Sequence, residues 1–378
     1  METVKLGVIG CGNISDAYLK GAARSALVRV AAVADANMDA ARAKAETYDV
    51  RASTVADLLA DPEIAIVINL TIPAAHAEVN GAIIAAGKHV YTEKPFAVSF
   101  AQAKETTAKA DAAGVRIGGA PDTFLGRGHQ SVRKLIDAGR VGTITGGAAT
   151  FATPGAELWH PNPFFFYQRG GGPVLDIGCY PITQLVNCLG PVASVIAHAS
   201  RPRSVRIVGS GPRKGEDIPV EVFTTVNGIL SFAGGANVAL TASWDVWKHG
   251  RPPIELYGTE GTIQNPDPNF FGGPVLVSDR AGDFVDMTDN ALPFGDPNRE
   301  MRDGRQAADY RMVGVFDMAA AIQSGRPHRA NGSLALHVLE VMEGLERAAS
   351  EDSRIQMTTS CQRPEQMPDG KGEDVFVS

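Results

Sequence analysis

The sequence has little positive charge and no long apolar run. Its 35 Lys and Arg residues are outnumbered by 42 Asp and Glu residues, which gives a formal net charge of −7. Binding to nucleic acid or to an anionic membrane favours clustered Lys and Arg, so this balance argues against either as the main partner. No apolar run approaches the roughly 18 residues of a membrane span. A protein that acts on a small ligand is therefore expected.

Cysteine is also scarce. The four cysteines form no C-x-x-C pair and have no His partner at metal-ligand spacing: Cys11, Cys179, Cys188 and Cys361. We expect reduced, mostly buried thiols and no metal site. The N-terminal METVKLG leads directly into a strand pattern, without the basic and apolar regions of a signal peptide. A cytoplasmic location is predicted.

The first 120 residues alternate between apolar β-branched runs and helical segments. The runs VKLGVIG, VRVAAVAD and AIVINLT are continuous, as is typical of parallel strands covered by helices on both faces. Gly87 and Gly114 are expected to end two helices, and Ser99 with Gln102 forms a capping box at the start of another. This pattern predicts an N-terminal doubly wound α/β domain, a Rossmann fold, over residues 1–122.

The remaining residues, 123–378, have a different texture. Several strands follow one another between about 192 and 263 without intervening helices, which predicts a large, mainly antiparallel sheet in a C-terminal α+β domain. Within it, the basic stretch 201–217 is predicted to be an exposed loop. We expect this domain to serve substrate binding and oligomerisation.

Helices are also expected in the C-terminal domain, at about 129–138, 306–323 and 332–350. The stretch 265–300 is rich in Pro, Gly, Asp and Asn and is predicted to be irregular. The tail from about residue 357 has few apolar residues, so we expect it to be loosely packed.

A glycine-rich turn, GCGNIS, follows the first predicted strand. Gly10 permits a tight turn, Gly12 lets a pyrophosphate approach the backbone, and the small Ser15 can fill the packing role of the usual third glycine. The helix that begins near Asn13 directs unpaired N–H groups at the phosphates. The predicted dinucleotide-binding residues of this turn are Gly10, Gly12, Asn13 and Ile14.

Asp35 ends the second predicted strand, at the distance expected of a carboxylate that binds the ribose 2′-hydroxyl. It would repel a 2′-phosphate, and no Arg follows within six residues, so NAD is favoured over NADP. The alternative is that Asp35 is only the N-cap of the next helix.

Two later stretches, AGKHVYTEKP (86–95) and GGGPVLDIGCY (170–180), give the chain a family resemblance. Together with GCGNIS, LTIPAAHAEV and YGTEGTI in the same order, they resemble the glucose-fructose oxidoreductase and inositol dehydrogenase family of sugar and polyol dehydrogenases. The resemblance implies catalytic roles for Lys94, Asp176 and Tyr180. It also implies a Lys94–Pro95 peptide bond in the cis form, and cofactor contacts from Thr71, Pro73, His76, Glu93 and Lys94.

The chain departs from the family pattern at Tyr180, where many members have His, and at Thr183, where Asp often stands. The tyrosine resembles the branch of glucose-fructose oxidoreductase and dihydrodiol dehydrogenase. A free Tyr has a pKa of about 10, and a neighbouring Lys ammonium favours the phenolate, so a Lys–Tyr pair can replace an imidazole in proton transfer. Asp176 and Tyr180 lie on one face if their segment is helical.

Each of these residues also has a purely structural interpretation. Lys94 could be a surface lysine, Asp176 a helix-start carboxylate and Tyr180 a core aromatic. The same alternative holds for four further candidates for substrate contact: Asp122 at the end of the last Rossmann strand, and Trp159, His160 and Asn162 in an aromatic loop.

The resemblance implies an NAD-dependent oxidoreductase that acts on a monosaccharide, polyol or sugar acid. The full set of expected substrate residues is Lys94, Asp122, Trp159, His160, Asn162, Asp176 and Tyr180. A homodimer or homotetramer is implied, formed through the open face of the C-terminal sheet. The alternatives are a dihydrodiol dehydrogenase-like enzyme and a protein that senses a dinucleotide or sugar without turnover.

Overall fold

The computed structural model describes residues 2–280, 282–301 and 304–376, which form two compact units. Unit 1 comprises Met1–Arg127, Asn290–Leu336 and Pro364–Ser378, and unit 2 comprises Gly128–Asp289 and His337–Arg363. Unit 1 thus includes two segments, 290–336 and 364–378, that the sequence analysis assigned to the C-terminal domain. One reason is backbone pairing, since Gly118 forms an antiparallel bridge with Asn331.

A six-stranded parallel sheet forms the centre of unit 1, as predicted. Its strands are β1 (Val4–Ile9), β2 (Val28–Ala34), β3 (Arg51–Ser53), β4 (Ile66–Asn69), β5 (His89–Thr92) and β6 (Ile117–Gly119). The spatial order β3-β2-β1-β4-β5-β6 reverses direction between β1 and β4. In such sheets, ligands bind at the carboxyl ends of the strands beside this switch point.

The helices between these strands are α1 (Ser15–Ala22), α2 (Met38–Tyr48), α3 (Val55–Ala60), α4 (His76–Ala85) and α5 (Phe100–Ala113). Their ends follow the predicted signals: the Ser99 side chain accepts a bond from the Gln102 amide at 3.3 Å, and Gly87 and Gly114 have φ values of 71° and 66°. Helix α1 ends at Ala22, and the amides of Arg24 and Ser25 that follow it bond to the carbonyls three residues earlier.

Unit 2 contains a nine-stranded sheet in the order β16-β15-β14-β13-β7-β12-β11-β8-β19. Only β7 and β12 pair in parallel, so the prediction of a mainly antiparallel sheet is confirmed. The elements of this part of the chain are α6 (Arg127–Asp137), β7 (Ile144–Ala152), α7 (Phe164–Tyr167), α8 (Pro173–Ile177), α9 (Cys179–Leu189), β8 (Val192–Ser200), β9 (Val205–Ile207), β10 (Asp217–Pro219), β11 (Thr225–Phe232), β12 (Asn237–Ser243), β13 (Ile254–Gly258), β14 (Gly261–Asn265), β15 (Leu276–Asp279) and β16 (Val285–Asp286).

The stretch 201–217 is mostly exposed, as predicted, but it forms a hairpin in place of a loop, and two of its residues are buried. Strands β9 and β10 pair as a separate two-stranded sheet, which we call the β9–β10 hairpin (residues 205–219). Arg206 and Val208 of this hairpin are only 3% and 1% exposed. The hairpin packs inward because Val208, Ile218 and neighbouring apolar side chains share a hydrophobic cluster.

The remaining elements are β17 (Arg299–Glu300), β18 (Gln306–Ala307), α10 (Val313–Ser324), α11 (Gly332–Glu351) and β19 (Ile355–Gln356). Helix α10 begins later than the expected residue 306, since residues 306–307 pair with β17 and Met312 has a φ of 110°. The tail is packed, contrary to expectation. Its apolar residues Cys361, Met367 and Phe376 are buried, and the Arg329 guanidinium donates to the carbonyls of Glu365 and Gln366.

Three properties of the described residues bear on the class of protein. None of their helices is long and apolar enough to cross a membrane. The four cysteines are free and buried, as predicted. Within the described part of the chain, no group of three or more His, Cys, Asp or Glu side chains is arranged to hold a metal ion.

Candidate functional site

The glycine-rich turn follows β1 at the switch point of the unit 1 sheet. Gly10 has a φ of 104°, and a Cβ atom added to it would lie 2.5 Å from the carbonyl carbon of Leu70. Ser15 is fully buried and its hydroxyl donates to the Gly12 carbonyl at 2.6 Å, so it fills the packing position of a third glycine. A Cβ at Gly12 would meet no protein atom within 4 Å. This open space above exposed backbone fits a pyrophosphate group.

Asp35 connects this turn to the end of β2. Its Oδ2 accepts a bond from the Cys11 amide at 2.7 Å, and its Oδ1 accepts one from the Asn37 amide at 2.8 Å. The N-cap of α2 is Asn37, whose side chain accepts from the Asp39 amide. The alternative that Asp35 is merely the cap of this helix is therefore excluded. The partly exposed carboxylate retains acceptor capacity for ribose hydroxyls.

The loop after β4 is held by buried polar side chains. Asn69 Oδ1 accepts bonds from the Thr71 amide at 3.1 Å and hydroxyl at 2.6 Å. His76 is fully buried, with Nδ1 2.7 Å from the Pro95 carbonyl and Nε2 3.0 Å from the Thr71 carbonyl. Burial lowers the His76 pKa against the effect of these carbonyls, so a neutral ring donates to one of them. His76 thus positions the loop, in which Pro73 opens a short 3-10 turn.

Glu93 and Lys94 follow β5 on the same edge of the sheet. Glu93 Oε1 accepts a bond from the Tyr18 hydroxyl at 2.8 Å, and Oε2 accepts one from the Lys94 amide at 2.7 Å. Both Tyr18 and Glu93 are buried, whereas Lys94 is partly exposed. The Lys94–Pro95 peptide bond is cis, which confirms the expectation from the family resemblance.

Asp122, a candidate for substrate contact at the end of the last Rossmann strand, lies in the interior of unit 1. It is fully buried, and its Oδ2 accepts a bond from the Gly314 amide at 2.9 Å. The positive end of α10 explains this inward position, because unpaired amides at a helix start attract a carboxylate. Burial raises the pKa of Asp122 to about 6, against the opposing effects of Arg311 and the Gly314 amide.

In unit 2, Asp176 and Tyr180 lie on two consecutive short helices. Asp176 is on α8 and Tyr180 on α9, and Gly178 between them also has helical dihedral angles of −60° and −24°. The two side chains are therefore about one helical turn apart. Asp176 is partly exposed, whereas Tyr180 is 5% exposed.

Trp159, His160 and Asn162 lie in what we call the aromatic loop (residues 154–169). The His160 ring makes edge contacts with Trp159 and Phe165, at centroid distances of 5.4 and 5.5 Å. Its Nδ1 accepts a bond from the Asn162 amide at 3.1 Å, which leaves the proton of the neutral ring on Nε2. Burial lowers the His160 pKa, and the charge of Asp176 partly opposes this change. Trp159 is 55% exposed.

A cavity of about 770 Å³ opens elsewhere in unit 2. Its lining includes Arg169, Arg201, Glu221 and Glu346, and none of the residues that the sequence singled out for substrate contact. Cavity volume alone therefore does not identify the candidate site.

Sequence reasoning missed two residues that hold loops of the candidate site, Asn69 and Tyr18, and it also missed the burial of Arg206. Asn69 could have been noticed as a polar residue at the end of an otherwise apolar strand. Tyr18 is one of several apolar residues on α1, and nothing local indicates its bond to Glu93. Arg206 lies in a basic stretch of sequence, and the composition of that stretch predicts an exposed side chain. In the structure, however, Arg206 is buried.

Comparisons with known proteins agree with this architecture. Residues 4–119 match the family model described as an oxidoreductase family with an NAD-binding Rossmann fold, and residues 129–264 match that of the GFO/IDH/MocA C-terminal domain.

Among sequence relatives, dTDP-3,4-didehydro-2,6-dideoxy-alpha-D-glucose 3-reductase of Streptomyces violaceoruber is 30% identical over 70% of this chain and 72% of its own length. Trans-1,2-dihydrobenzene-1,2-diol dehydrogenase of Xenopus tropicalis is 24% identical over 74% of this chain and 80% of its own. A solved structure of levoglucosan dehydrogenase in complex with NADH and L-sorbose has a TM-score of 0.79 at 22% identity, and covers 94% of this chain and 99% of that one.

The matched regions are the same two parts of the chain that carry the glycine-rich turn and the Asp176–Tyr180 segment. The chain therefore belongs to the GFO/IDH/MocA family of oxidoreductases, and its N-terminal unit is an NAD-binding Rossmann domain.

Proposed function

We propose that the protein is an NAD-dependent oxidoreductase that transfers a hydride between nicotinamide C4 and a hydroxyl-bearing carbon of a monosaccharide, polyol or sugar acid. The observation that carries this proposal is the position of Lys94. It follows β5 on the sheet edge that also holds the glycine-rich turn and Asp35, and its amide is bonded to the buried Glu93 carboxylate.

The proposed mechanism divides three tasks among this chain's residues. The glycine-rich turn and Asp35 would hold the nicotinamide cofactor, which would supply or accept the hydride when bound. Tyr180 removes the hydroxyl proton during oxidation and returns it during reduction. The Lys94 ammonium favours the phenolate form of Tyr180 and stabilises negative charge on the reacting oxygen. Asp176 orients the substrate and Lys94.

Residues of unit 1 support the choice of NAD. The glycine-rich turn offers backbone amides to the pyrophosphate, and Asp35 would accept bonds from the ribose hydroxyls and repel a 2′-phosphate. We further propose that Thr71, Pro73 and Glu93 contact the cofactor, as the family resemblance implies.

The substrate class is supported by the polar side chains of the aromatic loop and by the relatives. His160 and Asn162 offer hydrogen-bonding groups beside the exposed Trp159 ring, which suits vicinal hydroxyls on a compact carbon frame. The names of two compared proteins, a sugar reductase and levoglucosan dehydrogenase, agree with this class.

The test is a screen of aldoses, ketoses, polyols, inositols, sugar acids and a dihydrodiol with NAD or NADH, followed by nicotinamide absorbance. We expect turnover with at least one sugar or polyol. Turnover of the dihydrodiol alone would favour the second candidate, a dihydrodiol dehydrogenase-like activity. Tyr180 and the relative from Xenopus tropicalis support this candidate. NADH binding with no turnover of any compound would indicate a sensing protein.

We also propose that the open face of the unit 2 sheet binds a second copy of the chain, in a homodimer or homotetramer. Ile196 of β8 and Ile229 of β11 are directly opposite each other and are 39% and 40% exposed. Sedimentation velocity tests this proposal, and a monomer at all concentrations would contradict it. The cytoplasmic location stays a prediction from the sequence.

A further inference from the structure

A buried arginine of the β9–β10 hairpin binds the first residues of the aromatic loop. Arg206 is 3% exposed, and its Nη1 donates to the Pro154 carbonyl at 2.9 Å and to Glu157 Oε1 at 2.7 Å. Its Nη2 donates to the Trp244 carbonyl at 2.9 Å and to the Asp245 carboxylate. The planar guanidinium thus fixes four acceptors in defined directions, which a lysine ammonium cannot reproduce.

The charged group of Arg206, Glu157 and Asp245, which we call the ionic centre, also binds the far end of the aromatic loop. The Tyr167 hydroxyl donates to Glu157, and the Arg206 guanidinium lies 5.4 Å from the centroid of the Tyr167 ring. Glu157 is 4% exposed and Tyr167 is fully buried. One carboxylate therefore joins residues near both ends of the segment that carries Trp159, His160 and Asn162.

The tip of the hairpin packs against the middle of the loop at short range. The Gly209 amide donates to the Glu157 carbonyl at 2.8 Å. A Cβ atom on Gly211 would lie 3.0 Å from the Pro161 Cα atom. The Arg213 guanidinium lies 3.7 Å from the centroid of the Phe164 ring. The loop is thus held along its length by one hairpin.

We propose that the β9–β10 hairpin, through Arg206, positions the aromatic loop so that Trp159, His160 and Asn162 present a fixed surface to the sugar substrate. Arg206 and the hairpin glycines are positioning residues that touch neither substrate nor cofactor. The inference rests on the proposed function, because it assigns the loop to substrate recognition.

Apolar packing alone would not fix the loop in this way. The hydrophobic cluster of Ala156, Phe166, Val208 and their neighbours holds the loop against the hairpin. Because hydrophobic contacts are non-directional, it does not fix the orientation of the loop. The Arg206 guanidinium, in contrast, loses directed hydrogen bonds whenever the loop shifts. The carboxylates of Glu157 and Asp245 would then lose their charged partner. A rigid recognition surface follows from this directional requirement.

The first test compares Arg206→Lys with Arg203→Lys, the same substitution at an exposed arginine just before the hairpin. For Arg206→Lys we expect the KM of the sugar found in the screen to rise by about 10-fold or more, because small misplacements of binding groups are costly. The Kd of NADH should stay unchanged, because the glycine-rich turn and Asp35 belong to unit 1. Arg203→Lys should leave both values unchanged.

The second test needs no change at the ionic centre and uses two glycines of the hairpin. Gly211 and Gly215 have φ values of 76° and 94°, so alanine brings similar backbone strain at both. Only Gly211→Ala places a methyl group against Pro161, because a Cβ at Gly215 meets no atom within 4 Å. We expect Gly211→Ala to raise KM for the sugar and Gly215→Ala to leave it unchanged, at a temperature well below the melting of either variant.

A third measurement is independent of activity. Chymotrypsin cleaves after aromatic residues, so peptide mapping by mass spectrometry can follow cleavage after Trp159 and Phe165, both exposed side chains in the loop. We expect faster cleavage there in Arg206→Lys and Gly211→Ala than in wild type and the two controls. Unchanged cleavage in both variants would refute anchoring by the hairpin.

The results separate the two proposals. A wild-type protein that turns over no sugar refutes the proposed function, and with it the role of the loop in substrate recognition. An active wild-type enzyme whose KM changes in neither Arg206→Lys nor Gly211→Ala refutes the positioning role alone. A lower Tm with unchanged KM has the same meaning, because a merely structural contact would change stability only.

Discussion

Substitution by alanine should have different effects at the two glycines of the dinucleotide-binding turn. At Gly10 it should lower the stability of the protein, and at Gly12 it should weaken NADH binding. At Gly10, the φ of 104° costs an L-residue roughly 1–2 kcal/mol, and overpacking typically costs a further ~1–3 kcal/mol. The overpacking is unavoidable, because the new Cβ would lie 2.5 Å from the backbone of Leu70, which cannot move aside as a side chain can. Gly10→Ala should therefore lose about 2–5 kcal/mol of stability.

At Gly12 the protein itself leaves room for a methyl group, since no atom lies within 4 Å of the added Cβ. Gly12→Ala should thus have nearly the wild-type Tm. The methyl group would instead occupy the space proposed for the pyrophosphate. If it costs what overpacking costs elsewhere, ~1–3 kcal/mol, the Kd of NADH should rise roughly 5- to 150-fold.

The assay for this pair combines thermal unfolding without cofactor and titration of NADH by fluorescence. For Gly10→Ala we expect a Tm that is lower by about 4–20 °C, since ~1 kcal/mol corresponds to about 2–4 °C in domains of this size. Wild-type NADH affinity in Gly12→Ala would refute the placement of the pyrophosphate over Gly12. An unchanged Tm in Gly10→Ala would refute the reasoning from its contact with Leu70.

Three further predictions concern cofactor choice, chemistry and pH. The double substitution Asp35→Ser with Ala36→Arg should shift kcat/KM from NAD toward NADP, because it removes a negative charge and adds a positive one, and an unchanged ratio of the two kcat/KM values would contradict the role of Asp35. Lys94→Met and Tyr180→Phe should each lower kcat by ~10²- to 10⁴-fold with little change in the Kd of NADH, and near-wild-type turnover in either would exclude its catalytic role. Because the pKa of Asp122 is raised to about 6 by burial, the folded protein binds its proton more tightly than the unfolded chain, whose carboxyl has a pKa of about 4. The wild-type Tm should therefore fall relative to that of Asp122→Asn as pH rises from 4 to 6, and parallel curves would show that Asp122 is not shifted.

The Rossmann unit could be predicted from sequence because its signals are local. Continuous β-branched strands, helix caps such as Ser99 and the glycines of the first turn each depend on residues close in the chain. Asp122 could not be placed in the same way, because its inward position depends on the Gly314 amide, which lies far along the chain.

The C-terminal half shows the same limit more clearly. Its antiparallel sheet was predictable from successive strands, but the burial of Arg206 was not. An arginine in a stretch with several other basic residues ordinarily remains in solvent, because burying its charge costs free energy unless partners compensate. Those partners, Glu157 and Asp245, lie in two other segments, and no local pattern brings them to the hairpin.

Asp35 connects cofactor choice with the shape of the turn itself. Its Oδ2 accepts the Cys11 amide, and its Oδ1 accepts the Asn37 amide, so the carboxylate that would bind the ribose also holds the backbone between Gly10 and Gly12. A serine at position 35 has one oxygen and a shorter side chain, and it cannot accept both bonds in the same geometry. The double variant with Arg at position 36 should therefore gain relative preference for NADP while binding both cofactors less tightly than wild type binds NAD. A purely electrostatic role of Asp35 would instead let NADP affinity in the variant reach the wild-type affinity for NAD, so the two Kd values distinguish the structural from the electrostatic contribution.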